Sequence, residues 1–327
     1  MYNISREAWL KERCKGIGGS DAAAVLGLSR YKSPLAVYLD KIGEGVPVES
    51  TERMEWGLKL EPIILAEYGI RTRLKVEHNS TQKISCNPDH DWLICTLDGI
   101  AYHPEKGPGV VQCKNVDRFS QSEWGDLVPR EYFIQLYHEI AVTGFSWGAL
   151  AVLIGGCEFR YFDFDRDEDL ISLIIQKERS FWFNNVSENI PPNPTGASLD
   201  VLSRIYSRDN GTSLTLTSDE VGSAIVSYLD AKAHLEAYTK QKEDSEAIIK
   251  AAMGEAAKGV YQNSNTTYGI SWTTVKGRVG FDSKQLEKDQ PELFQKYMKP
   301  GADYRRFSIK EKKTLITNNP LKEVDNE

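Results

Sequence analysis

No two cysteines in this chain stand at the spacing of a metal clip. The five of them (Cys14, Cys86, Cys95, Cys113 and Cys157) are odd in number and scattered, which argues against both a disulfide framework and a zinc site. No apolar run approaches the roughly 20 residues that a membrane span needs, so no membrane association is expected. The opening stretch MYNISREAWLKERCKG mixes charge with isolated apolar side chains and lacks the apolar centre of a secretory signal; a cytoplasmic location is expected. A basic surplus is missing as well. The formal net charge of -7 weighs against a protein that coats nucleic acid nonspecifically, because that mode depends on cations releasing counterions from phosphates. It leaves room for an enzyme whose acids hold metal while a local basic patch meets DNA. GIGGSD lacks the Gly-Lys-Ser/Thr ending of a P-loop, and His90 and His138 have no partner histidine at ligand spacing, so both histidines read as structural.

What is present suits one large domain or two ordinary ones: 327 residues, 40% hydrophobic and 27% charged. DAAAVLGLSRYKSPLAVYLDKIG reads as a helix capped by Ser20 or Asp21, then a second helix restarted by Ser33-Pro34. WGLKLEPIILAEYGI gathers Leu58, Leu65 and Tyr68 on one helical side together with Glu61, and Pro62 implies a first turn or a kink. DWLICTLDG and GVVQCKN read as strands of a hairpin across HPEKGPG. Side chains alternate along a strand, so Val110, Gln112 and Lys114 share one face, with Val111 and Cys113 on the other. PREYFIQLYHEIAVTG is an amphipathic helix, apolar at Phe133, Ile134, Tyr137, Ile140 and Ala141, with Gln135 and Glu139 opposite. Two strands, WGALAVLIGG and EFRYFDFD, and a helix, DEDLISLIIQKERSFWFNNV, follow. The proline-rich NIPPNPTGASLD marks a boundary between a domain over 1–195 and an extension over 196–327. The extension holds a long charged helix near 219–257, a strand pair in GVYQNSNTTYGISWTTVK, and the basic RRFSIKEKK, which reads as a solvated tract or a DNA contact.

An acid closing one strand and a Gln-x-Lys on its neighbour form a polar cluster on an otherwise apolar sheet. Read alone, Asp98 and Lys114 belong either to a solvated hairpin or to a site for metal-dependent phosphodiester hydrolysis, since hard cations prefer oxygen ligands and a lysine can orient the attacking water. The blocks around them carry more. GIGGSDAAAVLG, WGLKLEPIILAEY, TLDG, VVQCKN, SEWG and YFIQLYHEIAVTG stand in an order that resembles the YqaJ-type phage recombinase family, in the lambda-exonuclease-like branch of the PD-(D/E)XK nucleases, over residues 10–195.

That resemblance implies an α/β fold, a restriction-endonuclease-like mixed sheet flanked by helices, with the helical and β-hairpin extension following it. It implies a cation-dependent DNA nuclease acting 5′ to 3′ on double-stranded DNA to expose a single strand for recombination; an endonuclease that nicks without an end, or a catalytically weak DNA-binding or scaffold protein, are the alternatives. Glu61, Asp98, Gln112 and the main-chain carbonyl of Cys113 are implied as the cation-binding set. Lys114 would position the water. Arg13, Ser20 and Thr96 match positions that hold the 5′-phosphate, and Gln135 matches the active-site rim. For Ser20, helix capping and phosphate contact are both open, and they are compatible. Gln112 departs from the family's usual Glu. The cofactor implied is Mg²⁺, with Mn²⁺ or higher Mg²⁺ favoured by the missing charge. The family also implies phage or prophage origin, a host-cytoplasm setting, a single-strand annealing partner and a ring-type homo-oligomer.

Overall fold

A computed structural model describes residues 6–46, 50–79, 84–125, 127–301 and 303–311. The start of the opening stretch and the last two lysines of RRFSIKEKK lie outside them. Four helices come first: α1 (Arg6–Arg13), α2 (Gly19–Val25), α3 (Pro34–Lys41) and α4 (Glu52–Thr72). Strands β1 (Lys75–His78), β2 (Ile84–Cys86), β3 (Ile94–Thr96), β4 (Gly99–His103) and β5 (Gly107–Val116) follow, then helix α5 (Arg130–Thr143). Strands β6 (Trp147–Ile154) and β7 (Glu158–Asp165), and helices α6 (Glu168–Phe181) and α7 (Leu199–Ile205), complete the first of two units, residues 1–207.

The central sheet has the order β1-β4-β5-β6-β7, and β5 with β6 is its parallel pair. The other neighbours run antiparallel, which makes the sheet mixed as expected. A parallel pair needs a long crossover, and α5 supplies it. Both faces are covered. Val110 and Val116 of β5 and Leu150, Val152 and Ile154 of β6 join the core under α2, α3, α5 and α6. Val111 and Cys113, with Ala149 and Ala151, pack on the other face against Ile64, Leu65 and Tyr68 of α4. Gln112 and Lys114 therefore share the face of Val110, as the alternation requires.

Three local expectations need correction. Helix α2 is capped by Gly18, not by Ser20 or Asp21; the Asp21 carboxylate instead closes back on the helix start, accepting from the Gly18 N–H at 3.4 Å. The hairpin pairs β4 with β5, while the apolar run before Asp98 forms β3, which pairs with β2 in a separate two-stranded sheet. Asp98 lies at the bend between them. Helix α4 starts at Glu52, four residues before the expected segment, so Pro62 falls mid-helix rather than in a first turn; of the apolar side expected there, Leu65 and Tyr68 are buried and Leu58 is exposed. Ser33 and Pro34 do restart a helix, with the Ser33 hydroxyl accepting from the Ala36 N–H.

The second unit, residues 208–327, contains α8 (Asp219–Met253), the hairpin of β8 (Lys258–Gln262) and β9 (Thr267–Ser271), α9 (Ser283–Asp289) and α10 (Pro291–Tyr297). The long helix and hairpin expected there are thus present. The contact boundary falls beyond the proline-rich segment, because residues 196–207, including α7, belong with the first unit. Among the described residues no helix is long and apolar enough to cross a membrane.

Candidate active site

Residues expected to act together, but widely separated in sequence, line one cavity of about 790 Å³. Its walls take Arg13 from the end of α1, Ser20 from α2, Glu61 from α4, Thr96 from β3, Asp98 from the bend, Gln112 to Lys114 from β5, and Gln135 from α5. The long α4 carries Glu61 to the cavity while burying Ile64 and Leu65 beside it.

A chain of amides links the polar groups. The Asp98 carboxylate accepts from the Cys113 N–H at 2.7 Å and from the Gln112 side-chain NH₂ at 2.5 Å. The carbonyl oxygen of Gln112 accepts from the Gln135 NH₂ at 2.9 Å, and the Gln135 oxygen accepts from Lys114 Nζ at 3.1 Å. Lys114 Nζ also lies 4.9 Å from the centre of the Tyr132 ring. Gln112 is only 3% exposed, so every hydrogen bond it makes matters.

The acids repel one another. Burial raises the Asp98 pKa despite Lys114 and the Cys113 N–H, and burial followed by the charge of Asp98 pushes the Glu61 carboxyl up to about 7. His78, 2.8 Å from Glu61, opposes that rise. Two hard carboxylates, an amide and a main-chain carbonyl are an oxygen donor set suited to Mg²⁺ or Mn²⁺, and a dication offsets the burial that raises both acids and the Asp98 charge that adds to the rise at Glu61. Among the described residues, His, Cys, Asp and Glu alone form no metal-holding trio, so such a set depends on Gln112 and the Cys113 carbonyl.

At the other end of the cavity, Arg13 donates to the Ser20 hydroxyl at 2.6 Å and stands 3.7 Å from the buried Asp21. Ser20 makes no side-chain cap, which frees its hydroxyl from the structural role open to it in sequence. Burial would raise the Asp21 pKa, but Lys41, Lys32 and Arg13 overcome it and hold the carboxyl well below its usual range. Since Asp40 also pairs with Lys32, three cations face two acids, leaving positive charge beside Ser20.

Two participants escaped the sequence reading. His78 bonds Glu61 from β1, and nothing in the sequence flags a contact across 17 positions. Glu139, expected on a polar face, is 1% exposed and lines the cavity; its spacing of four from Gln135 on α5 was the available signal. Helix α5 is enclosed on more sides than its pattern implies. His138 is structural as expected, held at 0% exposure between Glu178 and the Ile94 carbonyl.

Residues 8–146 match the family described as YqaJ-like viral recombinase domain. The chain is 32% identical over 317 residues to the uncharacterized protein YqaJ of Bacillus subtilis strain 168, covering 94% of this chain and 95% of that protein. It is 26% identical over 157 residues to the uncharacterized protein R354 of Acanthamoeba polyphaga mimivirus, covering 44% and 28% respectively. Among solved structures, the alkaline exonuclease LHK-Exo from Laribacter hongkongensis superposes with a TM-score of 0.45 at 19% identity, covering 61% of this chain and 97% of that one.

Proposed function

The chain belongs to the YqaJ-like viral recombinase family, and on that premise we propose that it is a divalent-cation-dependent deoxyribonuclease, degrading double-stranded DNA from 5′ ends. The observation that carries the reading is the meeting of Glu61, Asp98, Gln112 and Lys114 in one cavity with Arg13, Ser20 and Thr96. Glu61, Asp98, the Cys113 carbonyl and Gln112 would hold the cation, Mg²⁺ or Mn²⁺. When bound, it supplies Lewis acidity toward the scissile phosphate and the attacking water.

The chain's own groups do the rest. Lys114 places a positive charge where water must be oriented and where charge builds on the phosphate, and the side-chain oxygen of Gln135 accepts a hydrogen bond from that ammonium. The surplus charge around Arg13, with the hydroxyls of Ser20 and Thr96, suits a terminal 5′-phosphate. A pocket of that kind measures position from a strand end and turns a general phosphodiesterase into an exonuclease. Exposed single strands would then pass to an annealing protein, and a homo-oligomeric ring around DNA belongs to the same proposal.

A digestion time course on linear and closed circular DNA in EDTA, Mg²⁺ and Mn²⁺ tests it. Linear DNA bearing 5′-phosphates is expected to be degraded with either cation, circular DNA to survive, and 5′-hydroxyl ends to react more slowly. Asp98→Ala and Lys114→Ala should abolish cleavage, and Gln112→Glu should preserve or raise it. Digestion in EDTA overturns the cation assignment, cutting of circular DNA favours an endonuclease, and binding without turnover in both cations marks a scaffold.

A further inference from the structure

The side-chain NH₂ of Gln135 is shared. It donates to the Gln112 oxygen at 2.9 Å and to Glu139 Oε1 at 3.0 Å, so one nitrogen separates the place where β5 lacks an acid from a carboxylate on α5. The second oxygen of Glu139, Oε2, is buried and has no hydrogen-bond partner among the described residues. Leaving a buried carboxylate oxygen unbonded is costly. Glu178 Oε2 is unbonded too, but Glu178 lies away from the cavity and pairs with His138, whereas Glu139 lines the cavity. The backbone also makes room for it. A Cβ at Gly19, in α2, would lie 2.7 Å from Glu139 Oε1, so the absence of a side chain there keeps the carboxylate in the cavity wall.

We infer that Glu139 is an outer carboxylate of the cation site, supplying from α5 the negative charge that β5 lacks at Gln112 without itself joining the oxygens that would touch the cation. The inference rests on the nuclease reading above. Burial, and then the Asp98 carboxylate, push the Glu139 carboxyl up to about 8, a direction that a neighbouring cation reverses.

The amide chain gives the inference a mechanical form. Gln112 turns its NH₂ toward Asp98 and its oxygen toward Gln135. Presenting that oxygen to a cation beside Asp98 requires the amide to reverse, which points its NH₂ at the NH₂ of Gln135. Gln135 must then reverse too. Its oxygen turns toward Gln112 and Glu139, and its NH₂ toward Lys114. The reversal removes the acceptor from Lys114 and the donor from Glu139, so both charged groups become available to the reaction together.

The test is Mn²⁺ titration of the full chain by calorimetry without DNA, paired with urea denaturation. Glu139→Gln is expected to weaken Mn²⁺ binding at least tenfold, a typical loss for an outer partner of a metal site, with an unchanged or higher urea midpoint. Adding Gln112→Glu to that variant should restore affinity, which no merely structural role of Glu139 explains. Wild-type affinity in Glu139→Gln, or no restoration by Gln112→Glu, overturns the inference and leaves the nuclease reading standing. If wild-type protein shows no Mn²⁺ binding that Asp98→Asn removes, the nuclease reading itself fails and the inference with it. Should Glu139→Gln not fold, Gln112→Glu alone decides: a change below about threefold is expected because Glu139 already supplies the charge, and a gain of tenfold or more overturns it.

Discussion

At the scale of single residues, three buried or half-buried groups make the protein sensitive to pH in one direction. The Glu61 carboxyl is pushed up to about 7 and that of Glu139 to about 8, burial being the first cause for both. Burial alone would lower His138, but the Glu178 carboxylate 2.8 Å away, with the Ile94 carbonyl, raises it to about 9. All three hold their protons more tightly folded than unfolded. The stability they contribute is full below about 4.5 for the carboxyls and 6.5 for the histidine, and is lost as pH rises through the folded values. In EDTA, the unfolding free energy read from urea denaturation is therefore expected to fall steadily from pH 5 to pH 9, by about a few kcal/mol in all. Mg²⁺ should oppose the carboxyl share of that loss. His138→Gln should remove the upper part of the slope while lowering stability throughout, because it leaves the Glu178 carboxylate buried without its cationic partner. An Asp, a Gln and a Lys could be singled out from the strand pattern alone. For Glu139 the signal was only its spacing of four from Gln135, because a charged residue on an amphipathic helix reads as a solvated face until neighbouring elements enclose it.

At the scale of elements, α4 shows how a long helix serves two masters. Ile64, Leu65 and Tyr68 anchor it to the sheet, while Gly57, Leu58 and Glu61 face the cavity. Gly57 has no packing reason to be glycine, since a Cβ there would meet nothing within 4 Å. Gly57→Ala should raise stability by up to about 1 kcal/mol in urea denaturation, the ordinary gain of helix propensity. Most elements were legible in the sequence: alternation gave the faces of β5, and Ser33-Pro34 gave the start of α3. The misassigned pieces share a cause. The apolar run ending at Leu97 has the composition of a sheet strand, yet β3 pairs with β2, whose sequence partner was hidden by a short, mixed segment. Likewise Glu52 to Glu55 continue α4 upstream with Met54 as their single apolar residue, and the Thr51 hydroxyl caps them by accepting from the Met54 N–H.

At the scale of the molecule, both hydrophobic clusters lie within residues 1–207, and no described residue of the second unit is buried. Folding free energy should therefore reside in the first unit. A fragment ending at Ser207 is expected to unfold cooperatively with the urea midpoint of the full chain, whereas one ending at 195 should be less stable, since it loses Val201 and Ser198 from the buried set. The proline-rich signal found the neighbourhood of the boundary but not its position, because chain composition cannot report which short helix packs back onto the core. Circular dichroism across a urea series on both fragments checks this.

The parity of β5 has one more consequence. Its even-numbered side chains carry the cavity's Gln112 and Lys114, while the odd-numbered Cys113 sits among apolar neighbours against α4. Loss or gain of one residue before position 112 would leave a strand of much the same hydrophobicity, still able to pair with β4 and β6. It would nevertheless exchange the two faces, sending amide and ammonium into the core and a thiol into the cavity. In this strand length changes are therefore a harsher hazard than substitutions: a wrong side chain spoils one role, whereas a frame of one spoils all of them at once.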